Sequence, residues 1–213
     1  MKKLIILLSL LFSNKAYASP YIAIEMQDNN LNYKSPSNFS FNIDPNKYYQ
    51  KEMRNPSFHL GYEVNDLLSL EVGIVKGKEG KDNNNTGLVY TSGPLSGQSL
   101  RTSSEIRALL ISFDSIYSYQ VPETNFVPFG ILGVTYADFS FKESFNDGST
   151  YSDDEQGLGV NLGFGLAYKF NQHFSLRLKA KYTLLNDIKP TSINGVGEVK
   201  DVVRFGAGFK ATF

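Results

Sequence analysis

Two residues of the 213-residue chain stand at a spacing that could support nucleophilic catalysis, because His173 precedes Ser175 by two positions. A serine nucleophile needs a histidine base and an acidic residue that orients the histidine, and Asp187 is the next carboxylate along the chain. The alternating pattern around them predicts that His173 lies in a turn at one end of a strand. Asp187 is then expected near the other end, about 35 Å away. The three groups are not expected to meet, so the sequence does not favour an enzyme.

The other residue types that commonly carry chemistry are absent or poorly spaced. The chain has no cysteine, which excludes disulfides, thiolate catalysis and cysteine–histidine metal sites. Segment 147–155 is acidic, but its carboxylates lack the spacing and the glycine bend of a calcium-binding loop. His59 is expected to fill space or to form a hydrogen bond inside the fold. We therefore expect no metal and no cofactor, and the formal net charge of zero gives no case for a nucleic-acid partner.

The elements that position these residues are clearest in the last quarter of the chain. Segments 157–170, 174–184 and 203–213 alternate apolar residues with glycines, polar residues and charges, which is the two-residue repeat of a β-strand. Strands of soluble proteins typically have about five or six residues, whereas a tilted strand needs about nine to eleven to cross a bilayer. The long segments thus favour a membrane barrel with its apolar face toward lipid over a soluble all-β domain.

Five further strands precede this stretch, at residues 21–27, 57–64, 67–75, 104–119 and 126–139. The facing of strands four and five is ambiguous, because apolar residues at consecutive positions interrupt the alternation in strand four. In that strand we favour Asp114 inward. We favour an outward orientation for Leu109, Ile111, Phe113 and Tyr117.

The connections between the predicted strands alternate in length. Long polar stretches at about residues 28–56, 76–103, 140–156 and 186–200 are separated by short turns. Outer-membrane barrels have short periplasmic turns and longer extracellular loops. We therefore predict an all-β fold, an eight-stranded antiparallel up-and-down transmembrane β-barrel, with extracellular long loops and both termini in the periplasm.

The first residues predict export. Lys2 and Lys3 precede an apolar segment at residues 4–12, and a small-x-small pattern formed by Ala16 and Ala18 precedes Ser19. These features are typical of a secretory signal peptide at residues 1–18, followed by the barrel domain at residues 19–213. The sequence has no apolar run of about eighteen residues, which excludes a helical membrane protein. Export and a barrel together imply the outer membrane of a Gram-negative-type cell.

Inward positions of the predicted strands carry ionisable residues at similar heights. An unpaired charge in an enclosed interior is costly, so opposite charges at one level should pair. We expect an ion-pair network that fills the barrel, with a narrow gated pore as the alternative. The acidic members are Glu25, Glu71 and Asp114, with Glu63 nearer the turns. The basic members are Arg177, Lys179, Lys181, Arg204 and Lys210, with Lys169 nearer the turns.

Three local features resemble a known family: the Val127-Pro128-Phe129-Gly130 segment, the Gly-x-Gly pairs of strand six, and the aromatic ending Phe205 to Phe213. The chain resembles the small eight-stranded outer-membrane barrels, which include OmpA-like and OmpX-like transmembrane domains and the opacity-protein and surface-antigen members of the porin family. The resemblance implies that Phe205, Phe209 and Phe213 form a signal for the outer-membrane barrel assembly machinery. Separately, the His-x-Ser pair resembles the site of outer-membrane lipid A deacylases.

Two function classes remain open. The first is a non-enzymatic surface antigen or adhesin-like protein, whose loops contact host cells, other surface proteins or lipopolysaccharide and outer-membrane lipid. Its support is a set of loop tyrosines on a rigid scaffold, namely Tyr48, Tyr49, Tyr90 and Tyr151. The second is a porin-like channel for small solutes.

Overall fold

The chain forms eight antiparallel strands that close into one barrel. The computed structural model describes residues 19–34, 52–89, 96–188 and 198–213. The strands are β1 (Ser19–Lys34), β2 (Glu52–Glu63), β3 (Leu68–Val89), β4 (Ser99–Ser118), β5 (Phe126–Phe145), β6 (Thr150–Lys169), β7 (Phe174–Ile188) and β8 (Glu198–Thr212). Each strand pairs with its sequence neighbours, and β1 pairs with β8. The predicted all-β, eight-stranded up-and-down barrel is therefore confirmed.

No helix within the described residues is long and apolar enough to cross a membrane.

The register of the pairing fixes how narrow the barrel is. Paired residues followed once around the barrel from Ile22 lead back to Asn32 of the same strand, an offset of 32 − 22 = 10 residues. Closing eight strands with such a stagger tilts them by about 35–45° from the barrel axis. The interior of an eight-stranded barrel is just wide enough for side chains, so the identity of the inward residues decides whether a passage exists.

Three short connections lie at one end of the barrel, which we call the turn end. They join β2 to β3, β4 to β5 and β6 to β7. Asn65 closes the first, because its side-chain oxygen accepts hydrogen bonds from the backbone of Leu67 at 2.9 Å and of Leu68 at 2.8 Å. Asn171 closes the third in the same way. The backbone N–H of Phe213 donates to Pro20 at 3.0 Å, so β1 begins and β8 ends at the turn end. The opposite end is the loop end.

The strands reach further toward the loop end than the sequence predicted. The sequence predicts a loop over the segment 140–156, but β5 continues to Phe145 and β6 begins at Thr150. The connection between them is a tight turn around Gly148, which has a φ of 87°. The predicted loop at 76–103 is likewise shortened, because β3 continues to Val89 and β4 begins at Ser99. These loop predictions were wrong in extent, because the strands continue beyond the level at which their outward residues become polar.

An apolar belt surrounds the outside of the barrel nearer its turn end. On β6 it comprises five successive outward residues from Leu158 to Leu166, which cover about 26 Å along the strand. Every strand contributes exposed apolar side chains, among them Ile22, Ile24, Phe58, Leu60, Leu70, Ile74, Phe113, Leu132, Val134, Val160, Leu162, Phe164, Leu178, Leu184, Phe205 and Phe209. Aromatic rings lie at its turn-end edge: Tyr62, Tyr117, Tyr119, Phe126, Phe170, Phe174 and Phe213. Such a belt has the form of a lipid-facing surface.

Nearer the loop end the polarity of the wall reverses. In β5, Leu132 and Val134 are exposed on the outside, whereas Phe139 and Phe141 are buried inside. The inward apolar residues nearer the loop end form one cluster, the upper core: Leu31, Tyr33, Met53, Val75, Ile106, Ala108, Leu110, Ala137, Phe139, Phe141, Leu185, Ile188, Val199 and Val202. A second, smaller cluster of inward apolar residues lies nearer the turn end: Ile116, Val127, Phe129, Ile131 and Ala167. Strands β4 and β5 thus carry apolar residues on both faces, inward in these clusters and outward in the belt, which explains why the facing of strands four and five is ambiguous in the sequence.

Candidate functional site

The inward positions at the level of the belt hold an ionic layer, which we define as Glu25, Glu71, Asp114, Arg177, Lys179 and Lys181 with His59. In its first half, Arg177 donates to Glu25 at 3.0 Å through Nε and to Glu71 at 2.6 Å through Nη1. Lys179 Nζ lies 2.7 Å from Glu25 and 3.6 Å from Glu71. The imidazole of His59 lies between the two carboxylates, at 3.3 and 2.9 Å. Each carboxylate thus faces two cations.

The second half of the ionic layer is centred on Asp114. Lys181 donates to one oxygen of this carboxylate at 2.6 Å, and Asn161 donates to the other at 2.7 Å. Arg204, which is buried, reaches no carboxylate within ion-pair distance among the described residues. Its Nη2 donates instead to Asn161 Oδ1 at 3.3 Å and to the hydroxyls of Thr135 and Thr183. Asn161 therefore links the guanidinium to Asp114.

The remaining predicted interior charges lie nearer the turn end. Lys210 forms an ion pair with Glu63 and stands 4.1 Å from the centre of the Tyr21 ring. These residues line a cavity of about 450 Å³ that lies between the turn end and Arg177. Lys169 was expected to face into the enclosed interior, but it is exposed at the edge of this cavity. The reason is its position as the last residue of β6, where the wall ends.

The upper core closes the interior on the other side of the ionic layer. Phe139 and Phe141 stack at 5.9 Å between ring centres, and both are almost fully buried. Ile106, Leu110 and Leu31 pack in the same cluster. Among the described residues, a solute moving along the barrel axis would therefore meet first a layer of paired charges and then a packed apolar layer.

The catalytic candidates are separated by the fold. His173 lies in the turn before β7, where its Nδ1 stands 3.1 Å from the backbone oxygen of Thr212. Ser175 is buried at the turn end of β7, and Asp187 lies near the loop end of the same strand. Twelve positions separate Ser175 from Asp187, which is about 40 Å along an extended strand. The described residues also hold no group of three or more histidine, cysteine, aspartate or glutamate side chains suited to a metal ion.

The residues of the predicted assembly signal lie on the outer face of β8. Phe205, Phe209 and Phe213 are all exposed, the last by 69%. Ser19, from the predicted cleavage site, is the first residue of β1 and pairs with Glu63 of β2. Ala16 and Ala18 lie outside the described residues.

Sequence reasoning missed the uncharged members of the interior network. Tyr21 donates to Glu71 at 2.9 Å, and Thr135, Asn161 and Thr183 join Arg204 to Asp114. Each of these residues occupies an inward position in the two-residue repeat of its strand, and that position is the signal that could have identified them. The ionisable residues are identifiable in the sequence by their charge. A hydroxyl or amide side chain at an inward position, in contrast, looks like any other polar residue of a strand.

The closed barrel, the exposed apolar belt and the enclosed charges define the class of protein: a β-barrel whose outer wall contacts lipid. The comparison with protein families agrees. The sequence model of the family described as the outer membrane protein β-barrel domain matches residues 4–197 of this chain. The chain belongs to this family, and it is an outer-membrane β-barrel protein. The predicted resemblance to small eight-stranded outer-membrane barrels is confirmed.

Solved structures with the same fold share little sequence with this chain. Neisserial surface protein A superposes with a TM-score of 0.58 at 14% identity, covering 92% of this chain and 99% of that one. Ail, the attachment invasion locus protein of Yersinia pestis, solved with the heparin analogue sucrose octasulfate, gives 0.55 at 13% identity, with coverages of 92% and 99%. A major outer membrane protein from Thermus thermophilus gives 0.57 at 11% identity, with coverages of 91% and 99%. The comparison with curated protein sequences gave no match.

Proposed function

We propose that this outer-membrane barrel is a non-enzymatic surface protein whose loop end faces the cell exterior and binds other cells or proteins. The observation that carries the proposal is the filled interior. Paired charges occupy the level of the belt, and a packed apolar cluster lies beyond them. A barrel filled in this way supports recognition at its ends better than transport through its centre, so it favours the surface protein over the small-solute channel.

The wall beyond the belt supports the same function. There the outward residues are polar or charged while the inward residues form the upper core, as in a water-immersed barrel. A structure of this kind would lift the loops above the lipid on a rigid base, and rigid scaffolds that carry variable loops are common in recognition. In this arrangement both termini lie in the periplasm, where the barrel assembly machinery would meet β8.

The β5–β6 hairpin offers a specific contact point at the loop end. Phe145 and Tyr151 form an edge-to-face pair with ring centres 5.8 Å apart, and Tyr151 is 50% exposed. Exposed aromatic rings held in place by a neighbour are frequent anchors of protein interfaces. Tyr48, Tyr49 and Tyr90, the other tyrosines that the sequence assigns to loops, lie outside the described residues.

Three measurements test the proposal. Protease treatment of intact cells should cut the chain at the loop end only. The purified barrel in planar bilayers should give no single-channel steps. Non-adherent bacteria that display the barrel should bind host cells, and Tyr151→Ala should reduce binding while Tyr119→Ala, a change at the turn end, should not. Reproducible conductance steps combined with no cell binding would instead support the channel.

A further inference from the structure

Three basic side chains project from the outside of the barrel at the loop-end edge of the apolar belt. Lys76 and Lys78 lie on β3 and Arg107 lies on β4; all three face outward and are exposed. Lys78 and Arg107 are directly opposite each other in the β3–β4 ladder. Like charges at opposed positions of a sheet repel and destabilise it. The pairing therefore needs negative charge close by, and we call this group the basic patch.

The protein itself supplies little of that negative charge. Glu105 is shared by two members of the patch, at 3.0 Å from Lys78 and 2.8 Å from Arg107. Lys76 forms no ion pair with the described residues. The neighbouring strands add no net outward charge, because β5 carries Asp138 and Lys142 and β2 carries Glu52 and Arg54. Three cations and one carboxylate thus leave the basic patch with a net charge of about +2 at neutral pH.

An apolar strip continues directly from the basic patch along the same two strands. Ile74 precedes Lys76 by two positions on the outer face of β3 and is exposed. Its partner in β4 is Ile111, and Phe113, also exposed, follows on that face. Positive charge and exposed apolar surface are therefore adjacent on one side of the wall, at the height where the polarity of the barrel reverses.

We propose that the basic patch and this strip bind a phosphorylated acyl lipid of the surrounding leaflet. The phosphate lies among Lys76, Lys78 and Arg107, and the acyl chains lie along Ile74, Ile111 and Phe113. The contiguity of charge and apolar surface favours a lipid over a soluble polyanion, which would need only charge. The inference uses the proposed function solely in placing the loop end at the outer leaflet, so the lipid would be one of that leaflet.

Native mass spectrometry of the barrel released from mixed micelles tests this site. The lipids to compare are diphosphoryl lipid A, its monophosphoryl form and phosphatidylcholine, whose phosphate is balanced by choline. The wild type should retain the phosphorylated glycolipids above phosphatidylcholine, with the diphosphoryl form retained best. Basic residues near an anionic membrane surface each change binding about fivefold, so the triple variant K76Q/K78Q/R107Q should bind about 100-fold more weakly.

The controls separate the site from general electrostatics and from misfolding. Lys169→Gln removes one cation at the turn end and should leave lipid retention unchanged, whereas Lys76→Gln should weaken it about fivefold. Heat-dependent gel migration checks that each variant is folded. Equal lipid A retention by the wild type and the triple variant would overturn the proposal. So would equally tight, patch-dependent binding of inorganic phosphate or sucrose octasulfate, because the site would then need no acyl chain. Neither result bears on the cell-binding and conductance tests of the proposed function.

Discussion

Removing the guanidinium of Arg177 should destabilise the barrel more than almost any other single substitution. This side chain is buried and donates to two carboxylates at once, those of Glu25 and Glu71. In Arg177→Met the two carboxylates would share a single ammonium, that of Lys179. One negative charge would then remain enclosed without a matching cation.

The size of the effect follows from this imbalance. Breaking a buried ion pair by removing one partner costs about 3–5 kcal/mol, because the other charge stays buried and uncompensated. We therefore expect Arg177→Met to lower the free energy of unfolding by about 3–5 kcal/mol. Arg177→Glu should cost more, since it places a third carboxylate beside the first two. Adding Glu71→Gln to Arg177→Met restores the balance of charge and should recover part of the loss.

Urea unfolding in detergent or lipid vesicles, followed by heat-dependent gel migration and circular dichroism, measures these differences. Lys169→Met is the matched control, because it removes a cation that is exposed at the turn end; surface changes of this kind usually lie within about 0.5 kcal/mol of zero. Equal unfolding midpoints for Arg177→Met and Lys169→Met would refute the view that the ionic layer stabilises the barrel through charge pairing.

Three further substitutions test other parts of the structure. Phe139→Ala should leave a cavity in the upper core and cost about 3–5 kcal/mol in urea unfolding, whereas Phe113→Ala, on the lipid-facing wall, should cost clearly less; equal losses would contradict a packed core at the loop end. Gly165→Ala should impair folding, because the new Cβ would stand 2.2 Å from the Phe129 ring and 2.4 Å from the backbone oxygen of Leu178. Gly130→Ala is the control, since a Cβ there meets no atom within 4 Å. Equal folding yields for the two variants would argue against this close packing. Phe213→Ala should reduce the amount of assembled barrel in the outer membrane, and an unchanged yield in fractionated cells would count against the assembly signal.

The fold was predictable because it depends on a repeat that the sequence displays directly. Alternation in β6, from Leu158 to Leu166, is uninterrupted and identifies both faces of the strand. The turns and polar stretches between successive strands then predict the antiparallel up-and-down order without knowledge of any contact, although the β5–β6 connection proves to be a tight turn. The barrel is closed by the pairing of β1 with β8, which follows from the need to leave no free edge in lipid.

The details of the interior were less predictable, for a physical reason. The two-residue repeat places Glu25, Glu71 and Arg177 on the inner face, and their distances from the strand ends place them at one level. Neither observation says how the stagger of the strands aligns their atoms. That stagger is a property of the closed barrel and is not visible in any one strand. Arg204 is an example. Its inward position and its charge predict a carboxylate partner, whereas the register of the strands places it beside Thr135 and Asn161.

The reversal of polarity along each strand carries information that simple alternation hides. In β5 the outward positions change from apolar at Leu132 and Val134 to charged at Asp138 and Lys142, while the inward positions are apolar at both ends of the strand, at Val127, Phe129 and Ile131 and again at Phe139 and Phe141. A search for one uninterrupted two-residue repeat of apolar residues would treat this change as a break in the strand. For a barrel it marks the height at which the surroundings of the wall change from lipid to water, because the apolar side chains then gain by turning inward. The same change occurs on the outward face of β4, which is apolar at Phe113, Ile111 and Leu109 and charged at Arg107. The edge of the membrane is thus encoded in the sequence as a change from apolar to polar residues at the outward positions, and the basic patch lies at that edge.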